Sequence, residues 1–389
     1  MKDIYSFYQA KMVRTMVNIK CVFFLFFSIF WILTLSESSF SGILNVKNKS
    51  LDVKIGQMLM VGFRGLTVND QSPIIQDIKK RNIGGVILFD YDVPSKSPIR
   101  NIKFPKQVEA LTAVLQKASS VPLFIAIDQE GGKVNRLKEK LGFPPSVSEQ
   151  YLGKINNLNT TRKFAKITAR TLANLGINLN FAPVVDLNTN PDNPIIGKLE
   201  RSFSANPEVV VRHSLVVIST FHNCGVFSAI KHFPGHGSST NDSHKGFVDV
   251  TDSWSSDELK PFEAIIKSGE CDMVMTAHIF NRKLDPKWPA TLSSRTIKGI
   301  LRKNLNYEGV VISDDMQMEA IRSFYGLETA IKMAILSGVD ILLFANNSVF
   351  EEDIAIRAVA IIKKLIFRGE IRPERINESY MRIMKLKKA

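Results

Sequence analysis

Eight short apolar runs, each bounded by turn signals and separated by segments with helical spacing, most narrow what this chain can fold into. They are GQMLMVGF (56–63), GGVILF (84–89), LFIAI (123–127), INLNFAPVV (177–185), VFSAIK (226–231), DMVMT (272–276), GVVIS (309–313) and DILLF (340–344). Continuous Val/Ile/Leu/Phe runs without alternation are what parallel strands buried on both faces require. Between them, KQVEALTAVLQKASS and PEVVVRHSLVVISTFHNC carry apolar residues at helical intervals. Eight strand and helix units are what a closed barrel needs, so the pattern predicts an α/β fold of the (β/α)8 type with a single catalytic domain over residues 46–389. A doubly wound open sheet is the alternative. No Gly-x-Gly-x-x-Gly follows the first strand and no phosphate loop is present, which argues against a nucleotide site. With 45% hydrophobic and 23% charged residues, the chain can bury a core and is not a disordered polymer.

The remaining composition bears on partners and address. Cys21, Cys224 and Cys271 form neither a disulfide framework nor a zinc spacing. The net charge of +14 is uneven, with ten Lys/Arg against three Asp/Glu from Arg357 onward. That stretch reads as a helix with a solvated basic face; weak attraction to an anionic membrane or wall polymer is the alternative, and no nucleic-acid module accompanies it. At the other end, Lys2, Lys11, Arg14 and Lys20 precede the apolar run CVFFLFFSIFWILTL (21–35). The pattern predicts a signal peptide or membrane anchor with linker over residues 1–45, hence an exported protein, periplasmic or inner-membrane-anchored, with a cytoplasmic address as the alternative.

In a barrel of this kind, chemistry belongs to side chains at the C-terminal ends of the strands. Asp128, Asp186, Lys231, His232, His278, Asp314 and Asp315 all fall there. For Asp186 the expected role is capping the next helix. The densest cluster is KHFPGHGSSTNDSH (231–244), which holds three of the six histidines. In its D-x-H, Asp242 can fix the tautomer of His244 and favour its protonated form, making His244 a candidate proton donor. Zinc ligation by the same histidines is a rival reading, although no His-x-His follows the first strand. A polar loop with incidental histidines is another.

These residues resemble the bacterial β-N-acetylglucosaminidases of glycoside hydrolase family 3, through IDQEGGKVNRL (127–137), NFAPVVDLN (180–188), RSFS (201–204), KHFPGHG with DSH (231–244) and ISDDMQME (312–319). The similarity covers nearly all of the chain after residue 50. It implies that Asp314 is the nucleophile of a covalent glycosyl-enzyme, and that His244, oriented by Asp242, is the general acid/base. It also implies that Lys231 and His232 hold sugar hydroxyls, and that Asp128, Arg136 and Arg201 bind the N-acetylglucosamine ring. One departure is the spacing between Gly197 and Arg201, where Lys198, Leu199 and Glu200 stand in place of one residue.

Retention of anomeric configuration then follows, with an imidazole replacing one of the usual two carboxyl groups. Glu130 is expected to serve the turn at Gly131 and Gly132. Asp315 is expected to point away from Asp314, since neighbours on an extended segment face opposite sides. His278 is expected at the rim, in a lining or a packing role. The implied substrate is a glycan with a terminal β-N-acetylglucosamine, from muropeptides or chitooligosaccharides, handled by a monomer without cofactor or metal. Two-domain glucosidase relatives carry their acid on a second domain, whereas about 45 residues follow the eighth run here. A metal-dependent barrel hydrolase and a non-catalytic glycan-binding protein at the envelope are the rivals.

Overall fold

The structure is a computed structural model and describes residues 49–243 and 246–388. Its strands, in chain order, are β1 Leu59–Gly62, β2 Gly85–Leu88, β3 Phe124–Ile127, β4 Leu179–Asn180, β5 Phe227–Phe233, β6 Val248–Asp249, β7 Met273–Thr276, β8 Ile279–Phe280, β9 Val310–Ser313 and β10 Leu342–Phe344. Eight of them form one parallel sheet in the order β10-β1-β2-β3-β4-β5-β7-β9. Each of the eight predicted runs supplies one of these strands. The register is set by pairs such as Val61 with Phe344 and Ala126 with Leu179. The sheet curls until β9 meets β10, where the Ser313 N–H donates to the Ile341 carbonyl at 2.9 Å. Helices follow the strands and coat the outside, so the architecture is a (β/α)8 barrel.

Packing explains why the helices form where they do. Pro105–Ala118 starts with proline in its first turn, where no amide partner is lost, and buries Val108, Leu111, Thr112 and Leu115 at helical intervals. Pro207–His222 is capped by Asn206, whose side chain accepts from the Glu208 N–H. A single apolar cluster unites side chains from all eight barrel strands with the inner helix faces. Above the barrel, β6 and β8 make a separate two-stranded sheet that the apolar pattern does not announce.

The end of the barrel away from the strand C-termini is held by charge. Asp340, fully buried just before β10, receives Arg302 at 2.7 Å, Arg375 at 3.2 Å, the Ser379 hydroxyl at 2.7 Å and the Val311 N–H at 3.1 Å. At the same end the Lys387 ammonium donates to the Gln57 side chain at 2.8 Å and the Gly84 carbonyl at 2.7 Å, over the ring of Phe124. Burial pushes its pKa down to about 7. Part of the basic C-terminal stretch is therefore internal rather than solvated, because Arg375 and Lys387 tie the last helix to the barrel floor. Lys363, Lys364 and Arg368 pair on the surface with Asp52 and Glu328.

The expected membrane anchor is corrected. Residues 21–35, like the whole predicted leader 1–45, lie outside the described residues, and no helix among the described residues is long and apolar enough to cross a membrane. A helix of fifteen residues would reach about 22 Å, against a hydrocarbon core of about 30 Å. The exported address, periplasmic or inner-membrane-anchored, built on that run is not carried forward.

Asp340→Ala should lower unfolding stability by about 3–5 kcal/mol, because it strands the buried guanidinium of Arg375 and the partly buried one of Arg302. Urea denaturation checks this; a loss under about 1 kcal/mol would mean that solvent already screens the cluster.

Candidate active site

The segment after β3 is folded back by one amide. The Gln129 backbone N–H donates to the Asn180 side chain at 2.9 Å and its carbonyl accepts from that side chain at 2.9 Å, which fastens the end of β3 to β4. Its own side-chain oxygen accepts from the Arg136 and Leu137 N–H groups, both at 3.0 Å. Asp128, Glu130 and Arg136 are thereby turned toward one cavity. Gly131 and Gly132 make this turn with φ of 101° and 57°, and a Cβ on Gly131 would fall 2.2 Å from the Val147 carbonyl oxygen.

A buried charge network crosses from β3 to β5. The Lys231 ammonium, at the end of β5, lies 2.8 Å from Asp128 and 2.7 Å from Glu130. Arg201 grips Glu130 with two N–H groups, each at 2.7 Å, and donates a third to the Ile195 carbonyl at 2.9 Å. Burial by itself would raise the Asp128 pKa, but Lys231 and Arg136 outweigh it and hold the carboxyl at about 2. Glu130 is likewise held below the usual range, since Arg201 and Lys231 overcome its burial. Burial also opposes the charge of Lys231 and Arg201, yet the carboxylates raise both. All four groups are ionised at neutral pH. Glu130 is therefore more than a turn residue; its side chain is 1% exposed and joins the two cations.

Asp186 is not a helix cap. Fully buried, it accepts from the His232 ring Nδ1 at 2.6 Å, from the His232 N–H at 3.2 Å and from the His236 N–H at 2.8 Å. Nε2 of His232 then faces an Arg201 N–H at 3.3 Å and accepts from it, which puts the ring proton on Nδ1. His236 is enclosed with Ser239 and Ser243, and burial together with His232 pushes its pKa down to about 4. The Gly237 N–H donates to buried Glu258 at 2.8 Å, and burial pushes that carboxyl up to about 7. Gly237 also lies so close to the chain that a Cβ would sit 1.7 Å from the Leu187 carbonyl oxygen.

Past β9, Asp314 and Asp315 both border one cavity but are held by different partners. The Asp315 carboxylate accepts the Gln317 N–H at 3.1 Å and the Ala345 N–H at 3.0 Å, tying the end of β9 to the end of β10. The Asp314 N–H donates to the Thr276 carbonyl at 3.2 Å, and its carboxylate accepts the Asp315 N–H at 2.8 Å. His278 is 2% exposed and bridges Thr291 and the Asp315 carbonyl, each at 2.9 Å, so it supports this segment from below.

Asp128, Arg136, Arg201, Lys231, His232 and Asp314 all line one cavity of about 330 Å³, with Phe89, Phe181 and Met275 among its walls. That volume is at the lower end of small-ligand pockets. Arg136 lies 3.7 Å from Asp128, and its Nε is buried without a hydrogen-bond partner among the described residues. The longer spacing before Arg201 does not displace it, because Glu200 N–H to Gly197 and Arg201 N–H to Ile196 close the extra residues into a turn. Asp242 is half-buried and is not among the cavity-lining residues. His244 lies outside the described residues. Among the described residues no group of three or more His, Cys, Asp or Glu side chains is arranged for a metal. Asp186, Glu130 and Gln129 are the members of the site whose roles the sequence did not disclose.

A rim of ionised groups over apolar walls thus stands at the strand C-termini of a (β/α)8 barrel, where enzymes of this fold carry their active sites. Residues 50–386 match the model of the glycosyl hydrolase family 3 N terminal domain, and the chain belongs to that family. It is 35% identical to Beta-hexosaminidase A of Pseudoalteromonas piscicida, over 86% of this chain and 60% of that protein. It is 32% identical to a Beta-hexosaminidase of Tolumonas auensis, over 74% of this chain and 83% of the relative. Among solved structures, a family 3 β-N-acetylglucosaminidase from Paenibacillus sp. str. FPU-7 superposes with a TM-score of 0.79 at 37% identity, covering 87% of this chain and 62% of that one. A β-N-acetylhexosaminidase from Beutenbergia cavernae gives 0.77 at 27% identity, covering 88% and 99%. The chain thus spans about 60% of the length of the Pseudoalteromonas and Paenibacillus proteins.

Because Asp128 titrates near 2 when folded and near 3.9 when unfolded, its contribution to stability is complete above about pH 4 and is lost as pH falls through about 2. Denaturation midpoints measured from pH 5 to 2 should fall less steeply in Asp128→Asn than in the wild type. Parallel slopes would mean that Lys231 does not bias this carboxyl.

Proposed function

We propose that this chain is a retaining exo-β-N-acetylglucosaminidase that removes terminal non-reducing β-N-acetylglucosamine from muropeptides or chitooligosaccharides. The observation that carries the reading is the convergence of Asp314 with Asp128, Arg136, Arg201, Lys231 and His232 on one cavity. Asp128 and Lys231, ionised and mutually fixed, accept from and donate to ring hydroxyls. Arg136, with a buried unpaired Nε, and Arg201 supply further directed donors. These groups are oriented before substrate arrives, so little reorganisation opposes binding.

In the first step an oxygen of Asp314 forms a bond to C1 as the bond from C1 to the leaving oxygen breaks, and His244 gives its proton to that oxygen. In the second, water attacks C1 while neutral His244 takes its proton, and the ester to Asp314 is released. His236, buried and shifted to about 4, and His232, committed to Asp186 and Arg201, favour His244 as the donor. Asp242, two residues earlier, would hold its ring. A base that is neutral when deprotonated does not repel the carboxylate leaving C1. The names of the similar proteins, three hexosaminidases and one β-N-acetylglucosaminidase, support the choice of sugar.

Incubation with a 2-acetamido substrate carrying a fluorinated trapping group, followed by peptide mass spectrometry, should place the label on Asp314, and Asp314→Asn should lose at least about a thousandfold in kcat. A label on another side chain of an active preparation would overturn the assignment. For His244→Ala, kcat/KM should fall about 10²–10⁴-fold on chitobiose but far less on a dinitrophenyl glycoside, whose leaving group needs no proton. Equal losses on both would remove His244 from that role.

A further inference from the structure

Outside the cavity, five aromatic rings form a continuous strip on the face of the barrel that carries the site. The ring of Phe280, on β8, lies 5.3 Å from Phe247; Phe247 lies 5.6 Å from Phe324; Phe324 lies 6.5 Å from Tyr325; and Tyr325 lies 5.4 Å from Trp288. Tyr325 and Trp288 pack on the core and anchor one end. The middle of the strip is open, with Phe324 57% and Phe247 39% exposed. Three of the four contacts join residues from different segments, so the strip is assembled by the fold and is not one helix face. Its exposed rings gain nothing from the core, and clustered exposed apolar surface marks a place for a ligand.

Its position ties it to the reaction. Phe324 stands six residues along the helix Glu319–Tyr325 from Met318, which lines the cavity, a rise of about 9 Å. Phe247 follows His244 by three residues in the chain. A group that protonates the leaving oxygen stands on the leaving side of the scissile bond, so on the role proposed for His244 the segment that carries Phe247 belongs to that side. The cavity, at about 330 Å³, has room for the terminal sugar and little else, so the rest of an oligosaccharide passes over the rim. In β-linked N-acetylglucosamine the ring substituents are equatorial and the axial C–H groups leave both faces apolar, which suits them to flat aromatic rings.

Resting on the proposed function, and naming the part of the substrate it leaves open, we propose that the strip Phe280, Phe247, Phe324, Tyr325 and Trp288 is the subsite for the sugars beyond the scissile bond, and that its occupant is an extended β-linked N-acetylglucosamine chain. The strip gives longer chains a binding advantage that the cavity alone cannot.

The test compares chitobiose with chitotetraose in the full chain, by kcat/KM and by calorimetric binding to Asp314→Asn. In the wild-type background chitotetraose should have about fivefold to tenfold higher kcat/KM, carried by KM, and should bind tighter by a similar factor. Phe324→Ser should reduce both ratios to near one with an unchanged melting temperature, and Phe324→Trp should restore them. A preparation that cleaves chitobiose but shows no length dependence, or one whose length dependence survives Phe324→Ser, overturns the subsite. Failure to cleave any N-acetylglucosaminide would instead sink the proposed activity, and the binding ratios in Asp314→Asn with and without Phe324→Ser would still decide the strip.

Discussion

The contact between Lys231 and the two carboxylates Asp128 and Glu130 is the constraint on which the site depends. An ammonium 1% exposed would be costly alone, and so would either carboxylate. Together with Arg201 they satisfy one another, and the cost of desolvating each is offset by partners fixed on three different segments. A network of this sort adds little net stability over an apolar core of equal volume. What it contributes is direction: every charge is held in place by another, so the groups facing the cavity cannot turn to follow solvent. Asp186 extends the same logic to the loop after β5, whose successive N–H groups it collects while holding the ring of His232.

The barrel was legible because its strands are buried on both faces and so appear as uninterrupted apolar runs, which the eight sheet strands match one for one. Alternation along the strand did not separate Asp314 from its neighbour: Asp315 is tied to the backbone after β10, yet both residues border the cavity. Other parts carried no local signal. Glu130 sits in a glycine turn and looks structural until Arg201, distant in sequence, is seen to grip it. Asp186 has the sequence context of a helix cap, and only the tertiary path of residues 232–236 converts it into an acceptor for that loop. The sheet of β6 and β8, two residues each, is too short for periodicity to register. The basic C-terminal stretch misled for a related reason: charge composition does not distinguish a solvated arginine from one such as Arg375, buried against Asp340. The apolar run at 21–35 suggested an anchor, but a stretch of that length falls short of a bilayer core.

The two halves of the site are supported differently. Asp314 stands at a strand end braced by Asp315, His278 and the first residues after β10. The loop beginning at Lys231 is held mainly by carboxylates beneath it, Asp186 and Glu258, which take its N–H groups one after another. Under the proposed mechanism, attack on a carbon atom demands accurate placement, whereas proton transfer to an oxygen accepts a wider range of approach, and Asp314 stands on the side braced by more partners.

The first strand has its hydrogen-bonding partner in the last, and the floor beneath both is finished by Lys387 from the extreme end of the final helix. A nascent chain leaving the ribosome would therefore hold β1 with one edge unpaired through most of translation. Folding intermediates formed during synthesis would carry an open sheet edge until the closing segment is released, the kind of edge that invites pairing with another chain.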